Sequence, residues 1–186
     1  MLDPDFIPFP ELQTSRLLLR RMTKADVPEI FKLRSDEKVM QYIDRKRAES
    51  LEDAEQWLQI VDEALDKKTG ITWGISMRES PAVLIGSIGY WRLIKEHYRA
   101  EVGYMLNALL WRKGIMKEAL NKIITFGFDE FKLHSIEAHI NAANTASAGI
   151  LTSSGFVQEA YFKENYFFEG TFRDTIVYSL LSPHSC

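Results

Sequence analysis

The stretch "EVGYMLNALLWRKGIMKEAL", Glu101 to Leu120, carries two different periods in twenty residues. Val102, Tyr104 and Leu106 alternate with Glu101, Gly103 and Met105, the period of a strand. From Gly114 onward, Met116, Leu120, Ile123 and Gly127 recur at helical spacing, with Ala119, Ile124, Phe128 and Phe131 beside them, which predicts a helix over 114–131. Between the two lie Arg112, Lys113 and Gly114. Cations usually sit at the other end of a helix, because the N-terminal end already carries partial positive charge. A strand-to-helix turn with a glycine presents unpaired backbone N–H groups, and basic side chains beside it suit a phosphate or pyrophosphate. A plain loop with a solvated basic pair is the competing reading of these residues.

Working outward, "SRLLLRRM" (15–22), "ITWGISM" (71–77), "VLIGSIGYWRLI" (83–94), "RAEVGYML" (99–106) and "HSIEAHI" (134–140) read as strands. Thr23 with Asp26, and Ser50 with Asp53, resemble capping boxes before helices; the second opens a helix over 51–67. "NTASAGILTSSGF" (144–156) reads as a short helix capped by Asn144 and closed by Gly155. A last hairpin turns at Glu169-Gly170, and residues 1–13 read as extended around Pro4, Pro8 and Pro10. The order β-α-α-β-β-β-α-β-α-β-β describes one α/β (α+β) domain over 1–186, with a largely antiparallel central sheet flanked by helices. The 101–140 segment supplies its parallel pair by a right-handed crossover. Trp73, Trp91, Phe126, Phe128 and Phe131 read as core, and "DRKRAES" (44–50) as a solvated loop.

Composition narrows the function. Hydrophobic residues make up 46% of the chain, which argues for a packed globule. A net charge of −3 gives no general drive toward nucleic acid or anionic lipid. One cysteine, Cys186, excludes an internal disulfide framework and a cysteine-built zinc site. The four histidines make no metal constellation: His134 and His139 are five apart on one strand, His97 sits in a turn and His184 in the tail, so no metal is expected. His139 reads as a packed or rim residue that could also line a substrate side. The N-terminal dozen residues lack a signal-peptide pattern, and no apolar run reaches membrane-span length, so a cytoplasmic protein is expected. Neither Gly-x-x-x-x-Gly-Lys-Ser/Thr nor Gly-x-Gly-x-x-Gly follows the first strand, which argues against a P-loop or dinucleotide site.

Four pieces in sequence carry a family resemblance: "TSRLLLRRMTKADVPEIFKLRSDEKVMQYI", "AEVGYML" followed by "WRKGIMKEAL", "NAANTASAGILTSSGF" and "FRDTIVYSL". From about Thr14 to Leu181 the chain resembles the GCN5-related N-acetyltransferases (GNAT), in the branch similar to the RimJ/RimL ribosomal-protein N-terminal acetyltransferases. The family loop reads Gln/Arg-x-x-Gly-x-Gly/Ala; here it stands as Trp111-Arg112-Lys113-Gly114-Ile115-Met116, departing at both flanking positions. The resemblance implies that this loop and Asn144 hold acetyl-CoA, with Tyr104, Met105 and Leu106 along its pantetheine arm. It also implies a β-bulge near Gly103 that splays this strand from the 134–140 strand, and a backbone N–H near Met105 that polarises the thioester.

Acyl transfer to an amine needs a base, a polarised carbonyl and a leaving thiolate. Glu101 is the base candidate; its alternative is a strand carboxylate paired with Arg99 or a neighbouring strand. The tyrosine that many relatives carry seven residues after the helix asparagine is replaced by Leu151. Ser147, three residues after Asn144, is the branch's proposed acid, against a first-turn hydroxyl bonded to its own backbone. Tyr166 is a fallback. The resemblance thus implies acetyl transfer to a primary amine in a ternary complex, a protein N-terminus first. A small amine acceptor (polyamine, amino acid or aminoglycoside) and a non-catalytic acyl-CoA sensor are the other readings. Homodimers are the family habit.

Overall fold

Periodicity and caps place nearly every element of the computed structural model, which describes residue 2 and residues 4–183; His184 and Cys186 lie outside them. A two-residue strand β1 (Leu12–Gln13) precedes β2 (Leu17–Arg20). After a 3-10 turn come α1 (Val27–Ser35), α2 (Glu37–Met40) and α3 (Leu51–Asp66). A meander of β3 (Ile71–Met77), β4 (Gly86–Ile94) and β5 (Arg99–Leu106) follows. Then α4 (Ile115–Asp129) crosses to β6 (Ser135–Asn141), and α5 (Thr145–Ser153) leads to the hairpin of β7 (Val157–Phe168) and β8 (Thr171–Leu181). Relative to the sequence reading, β1 and the single-turn α2 are additions. Both capping boxes form, at Thr23–Asp26 and Ser50–Asp53. Glu169 and Gly170 both take positive φ, 47° and 79°, as a two-residue hairpin turn requires.

The strands make one sheet in the order β1-β2-β3-β4-β5-β6-β8-β7. Among the described residues, only β5 and β6 pair in parallel. One apolar cluster joins Trp73, Ile88, Tyr90, Val102 and Ile136 to α4 and α5; a second joins Met22, Leu84 and Met105 to α1 and α3. The N-terminal segment packs into the first cluster through Leu2 and Phe6, and the Trp73 indole donates to the Pro10 carbonyl at 2.6 Å.

Two sequence readings need correction. The bulge lies on β4, between Tyr90 and Arg92, and not at Gly103. Tyr90 keeps its place because its buried hydroxyl donates to the Ile123 carbonyl of α4 at 2.5 Å. Trp91 is the extra residue, turned outward and 49% exposed, so it is not core. Gly103 marks the same irregularity from across the ladder: a Cβ there would stand 3.2 Å from the Trp91 ring. The 44–50 run is a loop with Arg45, Lys46, Arg47 and Glu49 exposed, as read, and it is anchored at two points. Asp44 pairs with Arg173, the Tyr166 hydroxyl donates to the Asp44 carbonyl at 3.2 Å, and Ala48 is buried. That run ties the α2–α3 connection to the last hairpin.

The splay is present. β5 pairs with β6 over three residues only, ending at Glu101↔Glu137, while β6 stays paired with β8 as far as Asn141. Beyond Glu101 the sheet opens.

Candidate active site

The opening is a cleft of about 710 Å³. Tyr104, Met105 and Leu106 form one wall, Asn144 and Ser147 of α5 another, and Trp111, Arg112, Gly114, Ile115 and Met116 one end. Val39, Tyr42 and Ile43, which the sequence did not single out, close it from the α2 side. Register decides which backbone groups face in. Asn107 N–H donates to Ile85, and bonded rungs alternate along an antiparallel ladder, so Met105 and Gly103 address β4. Tyr104 and Leu106, the neighbours of Met105, therefore turn their N–H groups toward the opening.

The loop end is built for an anion. Gly114 caps α4 at φ 73°, where a side chain would be strained, and Arg112 also takes a left-handed conformation at φ 61°. The first N–H groups of α4 have no intrahelical partners, and the helix dipole adds positive potential. Arg112 and Lys117 line the same end. The loop is held from several sides. Asn107 Oδ1 accepts from Leu109 N–H at 3.0 Å, and the Trp111 indole donates to the Leu106 carbonyl at 2.9 Å. Arg16 donates to the Lys113 carbonyl at 3.0 Å and to Glu118 of α4 at 2.7 Å. Burial pushes the Glu118 carboxyl up, but hydrogen bonds from Thr14 and Arg16 outweigh it and hold it below the ordinary value. Lys113 is held by its backbone and stands outside the cleft lining. These residues fit a ligand with phosphates at one end and a narrow, amide-bearing arm.

At the inner end, Asn144 Oδ1 accepts from Ser147 N–H at 3.0 Å, the cap expected of it. The Ser147 side chain does not bond its own backbone: its hydroxyl lies 2.5 Å from the Tyr104 hydroxyl. Burial pushes Tyr104 up to about 12, against the Ser147 hydrogen bond, so the phenol stays protonated. Tyr166 is turned elsewhere, its hydroxyl taken by Asp44 and by Arg45 at 3.1 Å.

Glu101 lies below the cleft, outside its lining, on the face of β5 opposite Tyr104. It is 5% exposed. Its partner is Arg92 of β4 at 2.7 Å, not Arg99, which binds both oxygens of Glu137 at 2.7 Å. Burial raises the Glu101 carboxyl; His139 and Arg92 pull it down, Glu137 pushes it up, and the balance stays above the ordinary value. Among the described residues, no group of three or more His, Cys, Asp or Glu side chains is placed to hold a metal.

Residues 16–157 match the acetyltransferase (GNAT) domain family. The chain belongs to the GNAT N-acetyltransferases. It is 37% identical over 175 residues to YoaA of Bacillus subtilis, an uncharacterized N-acetyltransferase, covering 94% of this chain and 98% of that one. It is 28% identical over 101 residues to the ribosomal protein uS5-alanine N-acetyltransferase of Escherichia coli, covering 54% and 52%. Among solved structures, RimL, a ribosomal alpha-N-protein acetyltransferase in complex with coenzyme A, superposes with a TM-score of 0.83 at 18% identity, covering 92% and 98%. That likeness is one of fold.

In this GNAT chain, the Arg16–Glu118 brace had no local signature, because its members lie 102 residues apart. The Tyr104–Ser147 bond had none either. Both residues were legible singly, but only folding brings positions 43 apart together.

Proposed function

We propose that this GNAT enzyme transfers acetyl from acetyl-CoA to the N-terminal amine of a protein, in a ternary complex, in the cytoplasm. The observation that carries the reading is the continuity of one cleft, from the αL glycine and bare helix end at Gly114 to the Tyr104–Ser147 pair. Arg112, Gly114 and the first N–H groups of α4 would hold the phosphates. Tyr104, Met105, Leu106, Trp111, Ile115, Met116 and Asn144 would line the arm, with Lys113 adding charge at the rim. Bound acetyl-CoA supplies the activated thioester; the chain supplies positioning and proton handling.

Glu101 accepts the amine's proton, directly or through water. The N–H of Tyr104 or Leu106 polarises the carbonyl. Ser147 has one hydroxyl proton; to aim it at the departing sulfur, its oxygen must accept from Tyr104. With its phenol pushed up to about 12, Tyr104 serves as a hydrogen-bond donor that orients Ser147 and not as a proton source. Support for a singly charged acceptor comes from the opposite face: Glu101 and Glu137 each carry an arginine, leaving no surplus negative charge for a polycation.

The test is a mass-spectrometric acetylation screen over peptides with different N-termini, polyamines and aminoglycosides. Peptide acetylation supports the reading, and a polyamine hit replaces it. No transfer to any amine, with coenzyme binding intact, favours the sensor. Gly114→Asp should abolish acetyl-CoA binding in calorimetry, and unchanged affinity would sink the loop assignment. For assembly, we assign a homodimer contact to β7, whose Tyr161, Phe162 and Phe167 are exposed; a monomer in sedimentation would remove it.

A further inference from the structure

The last rung before the sheet opens places two carboxylates side by side. Glu101 and Glu137 are register partners on parallel strands and share a face, and both are buried. His139, two residues on from Glu137 and on that same face, brings its Nε2 to 3.6 Å from a Glu137 oxygen, and its ring is partly exposed. Arg92 from β4 and Arg99 from β5 complete the set. On the far side, β8 offers Ser179 opposite Glu137 and Val177 opposite His139; Ser179 is bonded to Glu159 of β7, a further charge on that side. Two carboxylates across one rung are costly unless they serve a purpose, since like charges directly opposite destabilise a sheet.

We propose that Glu137 and His139 belong to the acid–base centre of this enzyme. Glu137 sets the proton affinity of Glu101 across the last paired rung, and His139 carries the proton between that buried pair and solvent. The inference rests on Glu101 being the base. In the transfer, the amine nitrogen forms the new C–N bond as the C–S bond breaks, and the sulfur leaves with the bonding pair. The surplus N–H proton passes to the Glu101 carboxylate, then to the His139 imidazole, then to buffer. Histidine suits the exit because its ordinary titration lies near neutrality. The electrostatics agree with the geometry: Glu137 acts to raise Glu101 and His139 acts to lower it. Glu137 is a positioning residue, and its signature is a titration.

Carboxyl-carbon NMR on the coenzyme-free full chain reads it directly. Glu137→Gln should move the Glu101 titration to lower pH, and His139→Gln should move it to higher pH. Shifts of opposite sign are not what loosened packing produces. If Glu137→Gln fails to fold, Glu137→Asp, which withdraws the charge, should give a smaller shift in the same direction. A Glu101 titration that stays in place in these variants overturns the inference. Turnover with acetyl-CoA and a peptide bearing a free N-terminal serine adds a second readout: His139→Gln should slow it, and added imidazole should restore it. An unslowed His139→Gln removes histidine as the exit. Glu101→Gln separates the two claims. Full turnover by that variant overturns the base assignment; an inactive Glu101→Gln with unmoved titrations overturns this inference alone.

Discussion

Asp26 and Glu101 are both buried carboxylates, 3% and 5% exposed, and both hold an arginine, yet they end in opposite states. Arg20 forks onto the two oxygens of Asp26 at 2.9 and 2.6 Å, and Thr23 adds its N–H at 2.8 Å and its hydroxyl at 3.3 Å. Burial pushes Asp26 up, but these four donors outweigh it and hold the carboxyl below its ordinary value. Glu101 receives one arginine nitrogen and faces a second carboxylate, so burial prevails and the carboxyl is raised. Exposure is nearly equal, and the two differ in how heavily burial weighs, in donor count and in neighbouring charge. One pair is bracing for the first helical turn; the other holds a carboxyl whose proton affinity is raised.

The largest expected effect tests that division. Glu101→Gln should cut kcat by about 10²- to 10⁴-fold, the usual worth of a positioned base, without lowering the melting temperature. Asp26→Asn should do the converse: a loss of about 3 kcal/mol in denaturant unfolding, as for one broken partner of a buried pair, with kcat of the folded enzyme unchanged. A fall in stability for Glu101→Gln or in kcat for Asp26→Asn would erase the contrast.

A pH series sharpens it. Asp26 titrates lower folded than unfolded, so its stabilisation is present above its ordinary value of 3.8 and is lost as pH falls through the folded value. Glu101 titrates higher folded than unfolded, so its ionisation weakens the fold above the folded value, and that cost disappears as pH falls toward 4.5. Urea midpoints against pH should therefore lose their acid-side fall in Asp26→Asn and their acid-side gain in Glu101→Gln. The smallest effect belongs to Arg92→Met. Because the arginine is half exposed, stability should change by less than about 1 kcal/mol, while the Glu101 titration moves further up.

Much of this was legible in the sequence. The switch from period two to period 3.6 across Glu101–Leu120, the Ser50–Asp53 box and the Glu169-Gly170 turn are local signals, and each formed. The resemblance implies a bulge near Gly103, and the extra residue sits across the ladder from it on β4. Trp91 read as core since hydropathy cannot see that the Tyr90 hydroxyl, bonded to Ile123, holds the register and leaves Trp91 outside. In the site, residue types were readable and partnerships were not. For Glu101 the sequence leaves Arg99 or a neighbouring strand as the source of a partner, and the guanidinium that reaches it comes from neighbouring β4. Glu137 gave no sign at all until the parallel register set it beside Glu101.

The brace around residues 107–114 has a thermodynamic consequence. Asn107, Trp111 and the Arg16–Glu118 pair already fix this loop in the free chain. Ordering a residue's backbone costs about 1–2 kcal/mol, and here that entropy is lost during folding, before any ligand arrives. Phosphates meeting this end need not freeze the loop that receives them, so their attraction to it goes into affinity undiminished.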